Sequence, residues 1–492
     1  MLAHLPILQV IVPLMAAPLC LLLTRPRLVW LFTLLVSGLA FLISCMLLQQ
    51  VMTSGTIIYD LGGWDAPWGI EYRIDQLNAF LLLIISAIST VVLLAAHTSI
   101  RQEIPADRHT LFYILYLLCL AGMLGIVATG DAFNVFVFLE ISSLSAYALI
   151  ALGKDRRALW ASYQYLIMGT IGATFILIGI GLMYQMTGTL NMDDLSRRLP
   201  EVAQTRTVFT AFAFVIVGIC LKLAMFPLHL WLPNAYAYAP SIVTAFLAAT
   251  ATKVAVYLLI RFTFSVFGLS FSFTHLPLQI LFLVLGLVGI FVASTAAIYQ
   301  TNIKHLFAYS SIAQIGYMIV GFSMTTATGL MATLLHLFNH ALMKSVIFLA
   351  LGAVMYRIGS VQLGQFQGLG RQMPLTMAAI VIGGLSLIGV PLTVGFVSKW
   401  YLVLAAIENG SWPVAILILL GSLLAVVYVW RIVEIAYFKP ALAGTETIKE
   451  APLSFLIPIW ILIIANIYFG IDTRLSVQVA QAASQSLFGV SP

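Results

Sequence analysis

The residues of this sequence that could do chemistry are ionisable side chains that interrupt long apolar runs. Glu140 follows Phe-Val-Phe-Leu, Lys222 follows Gly-Ile-Cys-Leu, and Lys253 precedes Val-Ala-Val-Tyr. A charged side chain at the centre of a membrane helix costs about 2.5–3.5 kcal/mol on insertion scales, so it indicates a functional site by default. A series of buried amines that can gain and lose protons is typical of a proton path.

Further candidates for this path lie in the second half of the chain. Lys399 lies in Val-Gly-Phe-Val-Ser-Lys-Trp, and Lys304 begins another apolar run. His336, His340 and Lys344 follow at intervals of four, which places them on one face of a helix. Histidine suits a relay because its unperturbed pKa of about 6.5 allows it to take and release a proton near neutrality.

Three simpler interpretations compete with a proton path. Lysines and arginines near helix ends, namely Lys304, Arg261 and Arg431, could extend to the membrane interface. Glu140 and Lys222 could form a static salt bridge, although one carboxylate cannot neutralise four or five lysines. Two histidines at i and i+4 could share a zinc ion, but no Glu follows His336 as in metalloproteases.

Composition identifies the environment of these residues as a bilayer. The chain has 492 residues, of which 62% are hydrophobic and 8% are charged, with a net charge of +6. A soluble domain averages about 25% charged residues, so a soluble enzyme, a nucleic-acid binder and a disordered scaffold are all disfavoured. The four cysteines have no paired spacing, so we expect no metal site, disulfide or cofactor.

The apolar runs predict an all-α integral membrane protein that forms a single domain over residues 1–492. A spanning helix needs about 20 mostly apolar residues. Fourteen segments meet this requirement: 6–23, 28–52, 76–96, 110–129, 132–152, 163–186, 208–232, 240–262, 275–299, 303–323, 327–354, 374–405, 411–438 and 454–471. Eleven Lys and Arg residues in one set of short loops, against five in the other, predict that both termini face outward.

An internal repeat relates the two halves of this bundle. Pro227 and Pro391 each interrupt an apolar span and lie 164 residues apart, and the same offset separates Glu140 from Lys304. We therefore predict two five-helix repeats, at residues 110–262 and 275–438, each with a helix that proline breaks. An odd number of crossings inverts the second repeat relative to the first, as in many secondary transporters.

Several long motifs resemble the antiporter-like subunits shared by respiratory complex I, membrane hydrogenases and Mrp-type cation/proton antiporters. The motifs begin at Pro227 (Pro-Leu-His-Leu-Trp-Leu-Pro-Asn-Ala-Tyr), Asn302 (Asn-Ile-Lys-His-Leu-Phe-Ala-Tyr-Ser-Ser), His336 (His-Leu-Phe-Asn-His-Ala-Leu-Met-Lys) and Gly389 (Gly-Val-Pro-Leu-Thr-Val-Gly-Phe-Val-Ser-Lys). The segment Leu-Gly-Gly-Trp-Asp-Ala-Pro-Trp-Gly-Ile from Leu61 is similar to the start of the MrpD-type members of that family.

The resemblance implies a proton-translocating subunit of a multisubunit Na⁺/H⁺ antiporter in the cell membrane, a secondary transporter rather than an enzyme. It also implies other membrane subunits as partners, H⁺ and Na⁺ or another monovalent cation as substrates, and no nucleic acid. In the family, the residues matching Glu140 and Lys222 form a coupled pair, and those matching Lys253 and Lys399 extend a hydrated axis. The alternative is a proton-pumping subunit of an NADH:quinone oxidoreductase or membrane hydrogenase.

Overall fold

The computed structural model describes residues 2–274, 277–441 and 448–489. Within these ranges the chain is almost entirely helical, and most consecutive helices are joined by short connections. The helices are α1 (Leu5–Leu19), α2 (Pro26–Ser54), α3 (Gln76–Glu103), α4 (His109–Ala128), α5 (Ala132–Ala151), α6 (Arg156–Thr187), α7 (Met192–Val202), α8 (Arg206–Leu223), α9 (Trp231–Tyr238), α10 (Ser241–Ile260), α11 (Leu278–Ile298), α12 (Ile303–Ser323), α13 (Ala327–Ile358), α14 (Leu369–Gln372), α15 (Pro374–Ile388), α16 (Val394–Glu408), α17 (Trp412–Val433), α18 (Leu453–Ile471) and α19 (Arg474–Leu487).

Thirteen helical segments of the described residues are long and apolar enough to cross a membrane, which makes the chain a multi-pass membrane protein. The twelfth predicted span, residues 374–405, is not one continuous helix. It consists of α15 and α16, with 15 residues each, separated by residues 389–393. The predicted first residue of the ninth span, 275, lies outside the described residues, and α11 begins at Leu278.

Both predicted helix breaks are present, and they close in the same way. The residues after α8 and α15, Ala224 and Gly389, adopt left-handed conformations with φ of 57° and 93°. The next amide reaches back five residues in each case, from Met225 to the Cys220 carbonyl and from Val390 to the Leu385 carbonyl. This is the Schellman arrangement, which ends a helix and is often followed by proline.

The helices at the centre of the bundle are buried all round. Every residue of α10 except Ala251 is buried, and so is every residue from Gly329 to Val354 of α13. Outer helices such as α6, α11 and α17 instead expose apolar side chains, as a lipid-facing helix must. The central helices α10, α12 and α13 contain five of the eight predicted site residues.

The order of helices in the first half of the bundle recurs in the second half. The sequence α4, α5, α6, broken pair α8–α9, α10 is followed by α11, α12, α13, broken pair α15–α16, α17. Short bridges also correspond, since Asp131 pairs with Asn191 before α5 and Asn302 pairs with Gln362 before α12. The boundaries of the two repeats, 110–262 and 275–438, stay a prediction.

The connection between α2 and α3 forms a two-stranded hairpin at one end of the bundle. It consists of β1 (Ile57–Asp60) and β2 (Glu71–Ile74), paired antiparallel with Ile57 opposite Ile74. Arg73 of this hairpin pairs with Asp193 of α7 at 2.9 Å. The same end contains the ion pair between Arg261 and Asp75, which the sequence analysis did not anticipate.

The second break depends on a close approach that only glycine permits. A Cβ added to Gly395, in the first turn of α16, would lie 1.7 Å from the carbonyl oxygen of Ser386 in α15.

We expect Gly395→Ala to push the two half-helices apart and to lower the free energy of unfolding by about 1–3 kcal/mol. The measurement is the melting temperature of the purified protein, which should fall. Gly181→Ala is the matched control, because a Cβ there meets no atom within 4 Å. An unchanged melting temperature for Gly395→Ala would contradict this packing.

Candidate functional site

The first group of site residues lies between α5 and α8, beside the first helix break. Lys222 occupies the last turn of α8 and is buried. Its Nζ donates to Ser143 Oγ at 2.8 Å and lies 3.4 Å from the hydroxyl of Tyr147. Glu140, Ser143 and Tyr147 share one face of α5 because they are three and four residues apart. This face therefore presents a carboxylate and two hydroxyls towards the end of α8.

Glu140 and Lys222 do not form a direct ion pair. Neither appears among the carboxylate–amine contacts within 4.0 Å in the described chain. Glu140 is partly exposed, and its charge still acts on Lys222 through space. Ser143 occupies the position next to the ammonium instead, so a proton passing between the two groups would need this hydroxyl or a water molecule.

A small cavity lies next to Lys222. Its volume is about 40 Å³, and its lining includes Ser143, Lys222 and the α10 residues Leu247, Ala251 and Val254. A cavity of this size can hold water, since one molecule needs roughly 10–15 Å³ of such volume. Lys253 does not line this cavity, but its α10 neighbours Ala251 and Val254 do.

The central group lies where α10, α12 and α13 pack together. Lys253, His336, His340 and Lys344 have no measurable exposure, and the charge of Lys253 acts on the other three. Lys253 Nζ donates to the carbonyl of Ala248 at 2.5 Å. These side chains are therefore enclosed by the bundle rather than exposed on its surface.

Polar residues from neighbouring helices hold His336 in place. Its Nδ1 lies 2.9 Å from Ser398 Oγ of α16, and its Nε2 lies 2.9 Å from Gln314 Oε1 of α12. His340 stacks nearly parallel to His336 with ring centroids 6.3 Å apart. In the part of the chain that the structure describes, neither ring nitrogen of His340 has a hydrogen-bond partner. Protein groups therefore bind both ring nitrogens of His336, whereas those of His340 have no partner among the described residues.

Lys344 is one helical turn beyond His340. Its Nζ donates to the carbonyl of Phe307 at 2.7 Å and contacts the hydroxyl of Ser310. The rings of Phe307 and Phe348 lie 5.6 and 5.9 Å from the same ammonium, within the range of a cation–π interaction. Lys344 is therefore bound entirely by neutral groups.

Lys399 lies at the second helix break. Its Nζ donates to the carbonyls of Leu387 and Ile388, at 2.8 and 2.9 Å, and to Ser422 Oγ at 2.9 Å. These carbonyls end α15, where the helix dipole places partial negative charge. The ring of Tyr317 lies 4.7 Å from the ammonium and 5.7 Å from the ring of His336. The second break thus supplies the acceptors for its lysine.

Lys304 is buried rather than extended to the interface. It is 1% exposed, and its Nζ donates to the carbonyl of Ala239 at 3.2 Å. Arg261 is also buried, whereas Arg431 is partly exposed and contacts the carbonyls of Ile298 and Gln300. Lys304 lies in the first turn of α12, whereas Glu140 lies in the middle of α5, so the two do not occupy equivalent positions in their helices.

Sequence reasoning missed the neutral partners of these ionisable groups. Gln314, Ser398 and Ser422 each bind a site residue from a different helix. A glutamine or serine within an apolar span was the available signal, but the sequence does not reveal which helix it faces. Among the described residues, no three His, Cys, Asp or Glu side chains are placed to hold a metal ion.

Comparisons with known proteins identify the relatives of this chain. A family profile described as "NADH:quinone oxidoreductase/Mrp antiporter, TM" matches residues 129–425. The "NADH-quinone oxidoreductase subunit N" of Desulforudis audaxviator (strain MP104C) is 41% identical over 491 residues, covering 96% of each chain. The D-type subunit of the Na(+)/H(+) antiporter of Bacillus subtilis (strain 168) is 30% identical over 486 residues, covering 98% of this chain and 97% of that one.

A solved structure extends the similarity to the whole fold. A chain from the "membrane-bound sulfane sulfur reductase (MBS), an archaeal respiratory membrane complex", superimposes with a TM-score of 0.89 at 31% identity. The alignment covers 99% of this chain and 97% of that chain. The arrangement of α1–α19 is therefore one that occurs in a membrane complex of several subunits.

Proposed function

We propose that this chain, which belongs to the NADH:quinone oxidoreductase/Mrp antiporter family of membrane subunits, moves protons across the cell membrane within a multisubunit Na⁺/H⁺ antiporter. The observation that supports this most directly is the set of buried lysines whose partners are carbonyls and hydroxyls. Burying a permanently charged amine in a membrane without a carboxylate partner costs free energy. An amine that can lose its proton avoids this cost in its neutral form.

The proposed path has two halves that meet at the centre of the bundle. Glu140, Ser143 and Lys222 form the first half, beside the break after α8. Lys399, Ser422 and the end of α15 form the other half, beside the second break. Lys253, His336, His340 and Lys344 connect them, together with water at the unpartnered nitrogens of His340.

The role of this chain is that of a transporter subunit rather than an enzyme. Its partners are other membrane subunits of the same complex, as in the relative described as a respiratory membrane complex. We place the loops that contain Arg101, Lys154 and Arg357 in the cytoplasm and both termini outside, because these loops have the excess of Lys and Arg.

A second candidate is the proton-pumping subunit of a redox complex. The 41% identity to an NADH-quinone oxidoreductase subunit N favours it, and that identity exceeds the 30% to the antiporter relative from Bacillus subtilis. Purification of the native complex distinguishes the two. Flavin or iron–sulfur subunits that co-purify with this chain would support the redox complex, and their absence beside small membrane subunits would support the antiporter.

The first prediction about the proton path concerns Glu140 and Lys222. We expect Glu140→Ala and Lys222→Ala each to lower Na⁺/H⁺ exchange in membrane vesicles at least about 100-fold, because each removes a group that accepts and releases the transported proton. The complex should still assemble, which immunoblots of the partner subunits can verify. Glu201→Ala and Lys439→Ala, at exposed positions, serve as controls and should retain exchange. Wild-type rates in both site variants would exclude a role in translocation.

The second prediction concerns Lys399. Arginine can donate to the carbonyls of Leu387 and Ile388 but does not deprotonate in proteins. We therefore expect Lys399→Arg to impair exchange nearly as strongly as Lys399→Ala, in the same vesicle assay. Full activity of the arginine variant would mean that Lys399 supplies only a fixed positive charge.

A further inference from the structure

An open cavity of about 290 Å³ lies at the end of the bundle where the lysine- and arginine-rich loops are found. Its walls come from the end of α3, the α5–α6 connection, the α9–α10 junction and the start of α12. Glu103 and Lys304 both line it, together with Lys154, Asp155 and Tyr238. We call this cavity the basal vestibule. It connects the loop surface directly to one of the buried lysines.

Glu103 is the last residue of α3 and is held in place by three hydrogen bonds. Ser99 donates its hydroxyl to Oε1 at 2.8 Å. The backbone amide and the hydroxyl of Ser241 donate to Oε2 at 2.9 and 3.0 Å. Ser241 begins α10, so the carboxylate also meets the positive end of that helix dipole. These contacts place hydrogen-bond donors and a partial positive charge against the carboxylate of Glu103.

Lys304 faces Glu103 across the basal vestibule. Its only hydrogen-bond acceptor among the described residues is the Ala239 carbonyl, and although the residue is only 1% exposed, it is one of the residues that line the vestibule. The charge of Glu103 acts on Lys304. An ionised carboxylate nearby stabilises a protonated lysine, so the pair allows a buried amine to bind a proton from bulk water.

One turn of α12 links Lys304 to a residue that binds the central group. Phe307 lies three residues after Lys304, on the same face of α12, and its carbonyl accepts the hydrogen bond from Lys344. Lys344 therefore binds the turn of α12 that contains Lys304. The other carboxylate of the vestibule, Asp155, is occupied by Arg157, whose hydrogen bonds lower the pKa of that carboxyl.

We infer that the basal vestibule is where protons from the cytoplasm join the path, with Lys304 as the first proton acceptor and Glu103 as its counter-charge. The inference rests on the proposed function and on the proposed orientation. A hydronium ion in the vestibule gives its proton to the neutral amine of Lys304 and leaves as water. The resulting ammonium is balanced by Glu103 until the proton moves towards Lys344.

A purely structural role for Glu103 makes a different prediction. If Glu103 only caps α10, then a glutamine side chain would serve, because its amide oxygen accepts the same hydrogen bonds from Ser241. If Glu103 provides charge, then glutamine fails and aspartate restores function, since the vestibule has room for a water molecule in place of the lost methylene group.

The first test compares exchange rates in vesicles that contain the whole complex. We expect Glu103→Gln to lower exchange about tenfold, which corresponds to about 1.4 kcal/mol, and Glu103→Asp to retain at least about half of it. Asp155→Asn is the control, a carboxylate of the same vestibule that pairs with Arg157 instead of facing Lys304. Wild-type exchange in Glu103→Gln, or equal losses in Glu103→Gln and Asp155→Asn, would overturn the role of Glu103.

The second test measures access to Lys304 and does not depend on exchange activity. In a Cys45→Ala background, which removes the partly exposed cysteine of the chain, Lys304→Cys is treated with a membrane-impermeant, positively charged methanethiosulfonate reagent. We expect labelling of inside-out vesicles and not of sealed right-side-out vesicles. Labelling only from the other side, or from neither side, would overturn the vestibule as the site of proton uptake.

The two tests also separate this inference from the proposed function. If Glu140→Ala and Lys222→Ala leave exchange intact while Lys304→Cys is labelled from the cytoplasmic side, then the translocation path is wrong and the vestibule remains. If the Glu140 and Lys222 variants are inactive but Glu103→Gln is not, then the path holds and protons enter it elsewhere.

Discussion

The constraint on which this structure depends is that its buried lysines have no carboxylate beside them. Among the described residues, none of Lys222, Lys253, Lys304, Lys344 and Lys399 has an acidic oxygen within 4.0 Å. Their acceptors are backbone carbonyls and hydroxyls, which stabilise an ammonium without fixing it in the charged form. A direct carboxylate partner would stabilise the protonated state and hold the proton.

The break after α15 provides free carbonyls for Lys399, whereas Lys253 and Lys344 bind carbonyls within α10 and α12. Within a helix each carbonyl is bonded to the amide four residues ahead, so only a helix end leaves carbonyls free. The break after α15 leaves the carbonyls of Leu387 and Ile388 to Lys399, and the break after α8 brings Lys222 to the hydroxyls of α5. The dipole of each half-helix adds partial negative charge at the same point.

Fixed and exchangeable charges are separated in space. All seven ion pairs of the described residues join an arginine to an aspartate, and they lie at the two ends of the bundle. Arginine stays protonated in proteins, so these pairs hold loops and helix ends together without taking part in proton transfer. The five buried lysines, with His336 and His340, occupy the interior, where loss of a proton is possible.

The sequence by itself determined the membrane class, thirteen of the helices and the identity of the buried ionisable residues, because hydropathy and the cost of a buried charge are local properties of the chain. Pro227 and Pro391 also marked the two breaks. Hydropathy alone counts residues 374–405 as one span, because Val390, Leu392 and Val394 keep the break itself apolar and hydropathy does not detect a change of backbone direction.

Only the tertiary structure decided which groups face one another. It placed Ser143 rather than Glu140 against Lys222, joined His336 to Gln314 and Ser398, and set Glu103 across a cavity from Lys304. These residues lie far apart along the chain, and their contact depends on how the helices rotate and cross. Composition does not distinguish a polar side chain that faces a lysine from one that bonds to its own helix.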